Sequence, residues 1–139
     1  MSAITISDAA SLAIHGAMIL AESPDEWTRT TELAERLDAS RAHVAKVMQR
    51  LTKAGITESS RGSHGGFRFV ADAEELTLLD VYEAIEGRLE PPVCLLKKPI
   101  CDGCCHIGGV LRRMNEELRD QLAGTSLAQL IAQGRVKTP

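Results

Sequence analysis

The sequence predicts a mainly α-helical fold that carries one small β-hairpin and ends in a long helix. Three observations predict it. Apolar residues recur at helical spacing along several segments. A glycine-rich stretch, Arg61-Gly62-Ser63-His64-Gly65-Gly66, separates two short strand-like runs. A long amphipathic stretch follows a cluster of four cysteines.

The elements follow in order. Residues 7–21 read as a helix capped by Ser7 or Asp8 and apolar over most of its surface, the pattern of a buried or partner-covered helix. His15 sits in its middle. Ser23-Pro24-Asp25 breaks it. A short helix over 31–37 has Thr30 or Thr31 as its cap and Glu32 in its first turn. Asp38-Ala39 makes a tight turn, and Ser40 caps a third helix over 41–54 that Gly55 ends. Val44, Val47, Met48 and Leu51 form its inward stripe. The opposite face carries Ala42, His43, Lys46, Gln49, Arg50 and Lys53. Strands over 56–59 and 67–70 flank the glycine-rich turn. Thr77-Leu78-Leu79-Asp80 is a capping box opening a fourth helix that stops at Gly87. Pro91-Pro92 ends regular structure. The long helix spans 106–123, with Ile107, Val110, Leu111, Met114, Leu118 and Leu122 on one stripe. Arg112–Glu116 and Arg113–Glu117 stand at i, i+4 spacing on its other side. A short helix over 126–133 completes the chain.

At 139 residues the chain suits one domain, or a small domain with a dimerising extension. Aromatic residues are only 3%, so the core must be aliphatic. The formal charge of −3 argues against a nucleic-acid partner until it is divided along the chain. Residues 1–26 carry −4 and residues 71–139 carry −3, whereas residues 27–70 hold eight Lys/Arg against four Asp/Glu, a local +4. No apolar run is long enough to span a bilayer, so no membrane partner is expected. The N-terminus lacks the basic region of a secretory signal, which points to the cytoplasm and away from structural disulfides.

Helix, short helix, turn, helix, hairpin is the order of a winged helix-turn-helix, and the basic block coincides with it. The first side chains of a recognition helix meet base edges in the major groove. Ser40, Arg41, His43 and Lys46 occupy those positions. Arg50 lies further along, where backbone phosphates are met. In the hairpin tip, glycines permit close approach to a duplex, Arg61 suits a narrow minor groove, and His64 adds a contact. The alternative, a phosphate-cradling nucleotide loop, lacks both GxxxxGK[ST] and GxGxxG.

The cysteines run Cys94-x6-Cys101-x2-Cys104-Cys105, followed by His106. Four thiols so close together in a cytoplasmic chain favour a metal over disulfides. Both zinc and an iron–sulfur cluster take such ligands. Free, redox-reactive thiols are the alternative. Cys104, Cys105 and His106 stand at the start of the long helix, where the helix dipole favours negative charge. No second basic group or oxyanion site accompanies them, so a thiol enzyme is not expected.

These residues resemble the IscR/NsrR-type family of bacterial winged-helix regulators, which sense cluster status, nitric oxide or redox state. Leu12-Ala13-Ile14-His15 resembles the family's first-helix pattern. Residues 31–37 with Ser40 resemble its second helix and turn, and Arg61-Gly62-Ser63-His64-Gly65-Gly66-Phe67 resembles its wing signature. Residues 78–87 resemble the segment after the wing. The resemblance implies a homodimer on a palindromic operator in double-stranded DNA. It also implies a cluster held by Cys94, Cys101 and one of Cys104 and Cys105, with His15 or His106 as fourth ligand, and 2Fe–2S is favoured over 4Fe–4S. The expected protein is a transcriptional repressor whose operator binding answers to that cluster, with no enzymatic activity and no small-molecule substrate. A zinc-bound or metal-free regulator sensing redox state through its cysteines is the alternative. The expected division is a winged helix-turn-helix over 1–87, a cysteine loop over 88–105 and a dimerisation helix with a short terminal helix over 106–139.

Overall fold

The computed structural model describes residues 6–90, 94–103 and 105–134. Pro91, Pro92 and Cys104 lie outside them. Six helices and a two-stranded antiparallel hairpin follow in the order α1 Asp8–Glu22, α2 Thr30–Arg36, α3 Arg41–Lys53, β1 Thr57–Ser60, β2 Gly66–Phe69, α4 Leu78–Glu86, α5 His106–Ala123 and α6 Leu127–Gln133. This is the expected mainly helical fold with a hairpin wing. None of the described helices is long and apolar enough to cross a membrane.

Local chemistry accounts for most boundaries. The Ser7 Oγ accepts the Ala10 N–H at 3.1 Å and starts α1. At α2 the expected threonine cap is replaced by Arg29, one residue earlier, which has extended backbone and makes no side-chain cap bond. Asp38 turns the chain between α2 and α3 at φ +48°, a left-handed conformation that aspartate tolerates better than most residues. Ser40 accepts the His43 N–H at 3.2 Å to open α3. Gly55 closes α3 in a Schellman arrangement: the Ile56 N–H reaches the Leu51 carbonyl at 3.0 Å and the Gly55 N–H reaches Thr52 at 3.0 Å. Thr77 and Asp80 form the expected reciprocal capping box of α4.

The hairpin pairs Thr57 with Phe69, Glu58 with Arg68, Ser59 with Phe67 and Ser60 with Gly66. Both strands therefore sit one residue closer to the tip or turn than the hydrophobic pattern predicts. Ile56 is left at the base, where its carbonyl accepts the Val70 and Ala71 N–H groups. Thr28 adds a bridge on the other edge of β2 that sequence reading did not anticipate. It exchanges both backbone hydrogen bonds with Phe67, each 2.9 Å, so the segment entering α2 lies along the wing.

One mainly aliphatic core, joined by Phe67 and Phe69 from the hairpin, fills the space among α1, α2, α3, the hairpin and α4. Ala13, Ala17, Leu33, Val44, Met48, Leu51 and Val81 are fully enclosed. The predicted stripe of α3 is the buried one. The terminal helix returns to this core: Leu127 is fully buried in it, and the Leu127 N–H reaches the Leu76 carbonyl at 2.8 Å. Helix α5 behaves differently. Only Gly108 and Leu122 are buried on it, and Ile107, Val110 and Met114 from its apolar stripe are exposed. The two i, i+4 ion pairs predicted for α5 are not formed among the described residues; Glu117 instead accepts from the Gln121 amide at 3.1 Å. The ion pair that α5 does make ties it to α4. Arg119 donates to Glu83 at 3.3 Å and to the Leu89 carbonyl at 3.1 Å, while Glu83 also accepts the Leu89 N–H at 3.0 Å.

Candidate nucleic-acid interface and cysteine loop

The core fixes α3 by Val44, Val47, Met48 and Leu51, and so turns Arg41, Lys46, Gln49, Arg50 and Lys53 outward into solvent. His43 is half-buried on the same helix. The wing stands beside α3, and a groove of about 380 Å³ opens between them. Its walls include Arg29, Thr31, Arg41, Gln49, Ser60 and Arg61. Three guanidinium groups from three segments thus face one solvent-open cleft, with no carboxylate among its lining residues. Fixed positive charge without a local counter-charge is the arrangement that receives phosphate.

Of the residues singled out by sequence, Arg41 and Arg61 come together in this groove. Ser40 and Arg41 border a second depression with Thr31, at the start of α3. Lys46, Arg50 and His64 are exposed but outside the groove lining. Sequence reading missed Arg29. Its Nη2 donates to the Ser63 carbonyl at 2.7 Å, bridging the start of α2 to the wing tip. The only local signal was a basic residue just ahead of the second helix. The other wing cation, Arg68, is already engaged: it pairs with Glu58 across the ladder and stacks over Trp27 at 4.8 Å from the ring centroid.

The cysteine loop is less organised by packing. Leu95, Leu96 and Ile100 are exposed, Ile100 by 89%. Cys94 and Cys105 are half-buried and Cys101 is exposed. The Cys94 Sγ accepts the Leu96 N–H at 3.4 Å, and the Cys105 Sγ caps α5 by accepting the Gly108 N–H at 3.3 Å. Sulfur donors of this kind fit a thiolate-held metal or cluster. The geometry does not gather it: among the described residues no three His, Cys, Asp or Glu side chains stand together to hold a metal ion. His15 is exposed on α1, and its Nδ1 bonds the Ser11 carbonyl at 2.8 Å, which leaves Nε2 as the outward nitrogen. His106 is exposed at the start of α5.

A family model described as Rrf2, iron-dependent transcriptional regulator, matches residues 6–133. The chain belongs to the Rrf2 family. Its similarity to BadM of Rhodopseudomonas palustris is 36% identity over 73 residues, which covers 52% of this chain and 47% of BadM, about half of that protein's length. It is 30% identical over 106 residues to the HTH-type transcriptional regulator NsrR of Bacillus subtilis, covering 76% of this chain and 72% of NsrR. Among solved structures it is similar to CymR, the global cysteine regulator of B. subtilis, with a TM-score of 0.78 and 20% identity over 94% of this chain and 98% of CymR. The Rrf2 family and these regulators act in transcription, not as enzymes, and the chain is an Rrf2-family transcriptional regulator. The likeness to CymR establishes the fold over nearly the whole chain, the winged helix together with the helices that follow it.

Proposed function

We propose that this Rrf2-family regulator works in the cytoplasm as a homodimeric repressor on a palindromic operator in double-stranded DNA. The groove shared by Arg29, Arg41 and Arg61 carries the reading, because Arg41 on the recognition helix and Arg61 on the wing face it together, outside any ion pair among the described residues, and answer a phosphate backbone. In this reading Ser40, Arg41, His43 and Lys46 meet the major groove, Arg50 meets phosphate, and Arg61 and His64 serve the wing. The exposed apolar stripe of α5 supports a second copy as its cover. Lys46→Ala and Arg61→Ala are each expected to weaken operator binding about tenfold while the dimer stays intact. Unchanged binding in both, measured by fluorescence anisotropy, overturns this placement.

In the same reading operator binding answers to an iron–sulfur cluster, 2Fe–2S rather than 4Fe–4S. Cys94, Cys101 and one of Cys104 and Cys105 would hold it, with His15 or His106 completing the set. When bound, such a cluster supplies a redox-active centre on a loop that leads directly into α5. The thiols' own contribution is structural: Cys105 caps α5, so the start of that helix depends on where its sulfur is engaged. Protein purified without oxygen is expected to be coloured and to contain iron and acid-labile sulfide. Colourless protein with stoichiometric zinc overturns the cluster and favours a zinc-bound form. The exposure of Cys101 favours the second reading, a metal-free regulator that senses oxidants through its thiols.

A further inference from the structure

We infer that Arg29 is a positioning residue that latches the wing tip over the recognition helix, in the pose from which Arg61 reaches DNA. The inference rests on the DNA-binding reading above and adds a residue outside the expected contact set. Three observations carry it. First, Arg29 joins the start of α2 to a point 34 residues away, through its 2.7 Å bond to the Ser63 carbonyl. Second, the backbone beside it is already seated on the wing, because Thr28 and Phe67 exchange two hydrogen bonds. Third, Arg29 and Arg61 line the same groove, so the tip that Arg29 holds is the tip that presents Arg61.

The chemistry suits arginine. A carbonyl at a turn tip is normally satisfied by water, and a guanidinium replaces that water with a charge-assisted bond while keeping its remaining donors for other partners. Gly62 shapes the tip at φ +103° with no neighbour within 4 Å of a would-be Cβ, so packing at that position does not seat the tip. Holding an exposed tip in one pose before DNA arrives removes an ordering penalty from binding. Arg29 thus acts through Arg61, and its removal matters only while Arg61 is present.

The test uses full-length protein and a duplex selected from a random library by the wild-type chain. Arg29→Ala is expected to weaken binding to that duplex about tenfold, as loss of a charged hydrogen bond does. In an Arg61→Ala background the same change is expected to add less than about twofold, since the two residues act as one unit. In the free protein the Gly65 amide, which closes the tip on the Gly62 carbonyl at 3.1 Å, is expected to exchange its hydrogen about tenfold faster in Arg29→Ala. Losses that multiply across the double variant overturn the latch, as does a Gly65 exchange rate that does not change. A wild-type chain that selects no duplex overturns the DNA-binding reading itself, and the latch with it.

Discussion

At the scale of single residues, the glycines of the wing separate two physical demands. Gly66 has φ +143°, and a Cβ there would lie 2.1 Å from the Thr28 carbonyl oxygen. Gly62 has φ +103° but open space around it. Gly66→Ala therefore meets both backbone strain and a collision with main chain, and is expected to destabilise the fold by roughly 3 kcal/mol in urea unfolding. Gly62→Ala meets strain alone, and about 1 kcal/mol is expected in the same measurement. Equal losses would mean that the Thr28 segment yields easily and does not hold the wing. The wing signature was legible in the sequence as a pattern of glycines. The reason for Gly66 was not, because it is the backbone of a residue 38 positions earlier.

At the scale of elements, what the sequence discloses depends on the range of the interaction that sets it. Caps act over three or four residues, so Ser7, Ser40, Gly55 and the Thr77–Asp80 box placed their helix ends closely. Arg29 at the start of α2 uses no side-chain cap, and there the boundary was misplaced by one. The strand limits of the hairpin, not its register, moved by one: hydrophobicity favours Ile56 and Val70 as strand residues, whereas the ladder runs on to Ser60 and Gly66 at the tip. Helix α6 was legible as a helix and silent about its seat. Its seat is the core, through Leu127 and the strand-like bridge between Thr77 and Ser126. Leu127→Ala is expected to destabilise the DNA-binding unit by roughly 2–5 kcal/mol, read as a lowered denaturation midpoint. A change below about 0.5 kcal/mol would mean that α6 is a loose tail, as surface substitutions behave.

At the scale of the whole molecule, the division between α5 and the rest is one of burial. The winged helix encloses most of its apolar residues and exposes only scattered ones such as Trp27 and Val70, while α5 leaves Ile107, Val110 and Met114 exposed along one stripe. Met114→Glu is expected to convert the proposed dimer to monomer in light scattering, with helicity retained; a dimer that persists would move the interface elsewhere. The cysteine loop was legible as a set of ligand types, but its assembly was not, since few contacts of its own define it. The pairing of wing and helix cations has a further consequence for how DNA binding responds to its ionic surroundings. Of the eight basic residues between 27 and 70, Arg36 is held by Glu22 and Arg68 by Glu58, which leaves six outside ion pairs among the described residues. Each cation that reaches a phosphate displaces a condensed counterion, and a paired one does not. Twelve from the two protomers of the proposed dimer set a ceiling, so the plot of log K against log salt concentration is expected to fall no more steeply than about −11. A steeper slope in a salt titration would draw in cations beyond the winged helix, such as Lys97 and Lys98 on the exposed cysteine loop. The protein's sensitivity to salt is thus bounded by which of its arginines already have partners, and not by its formal charge.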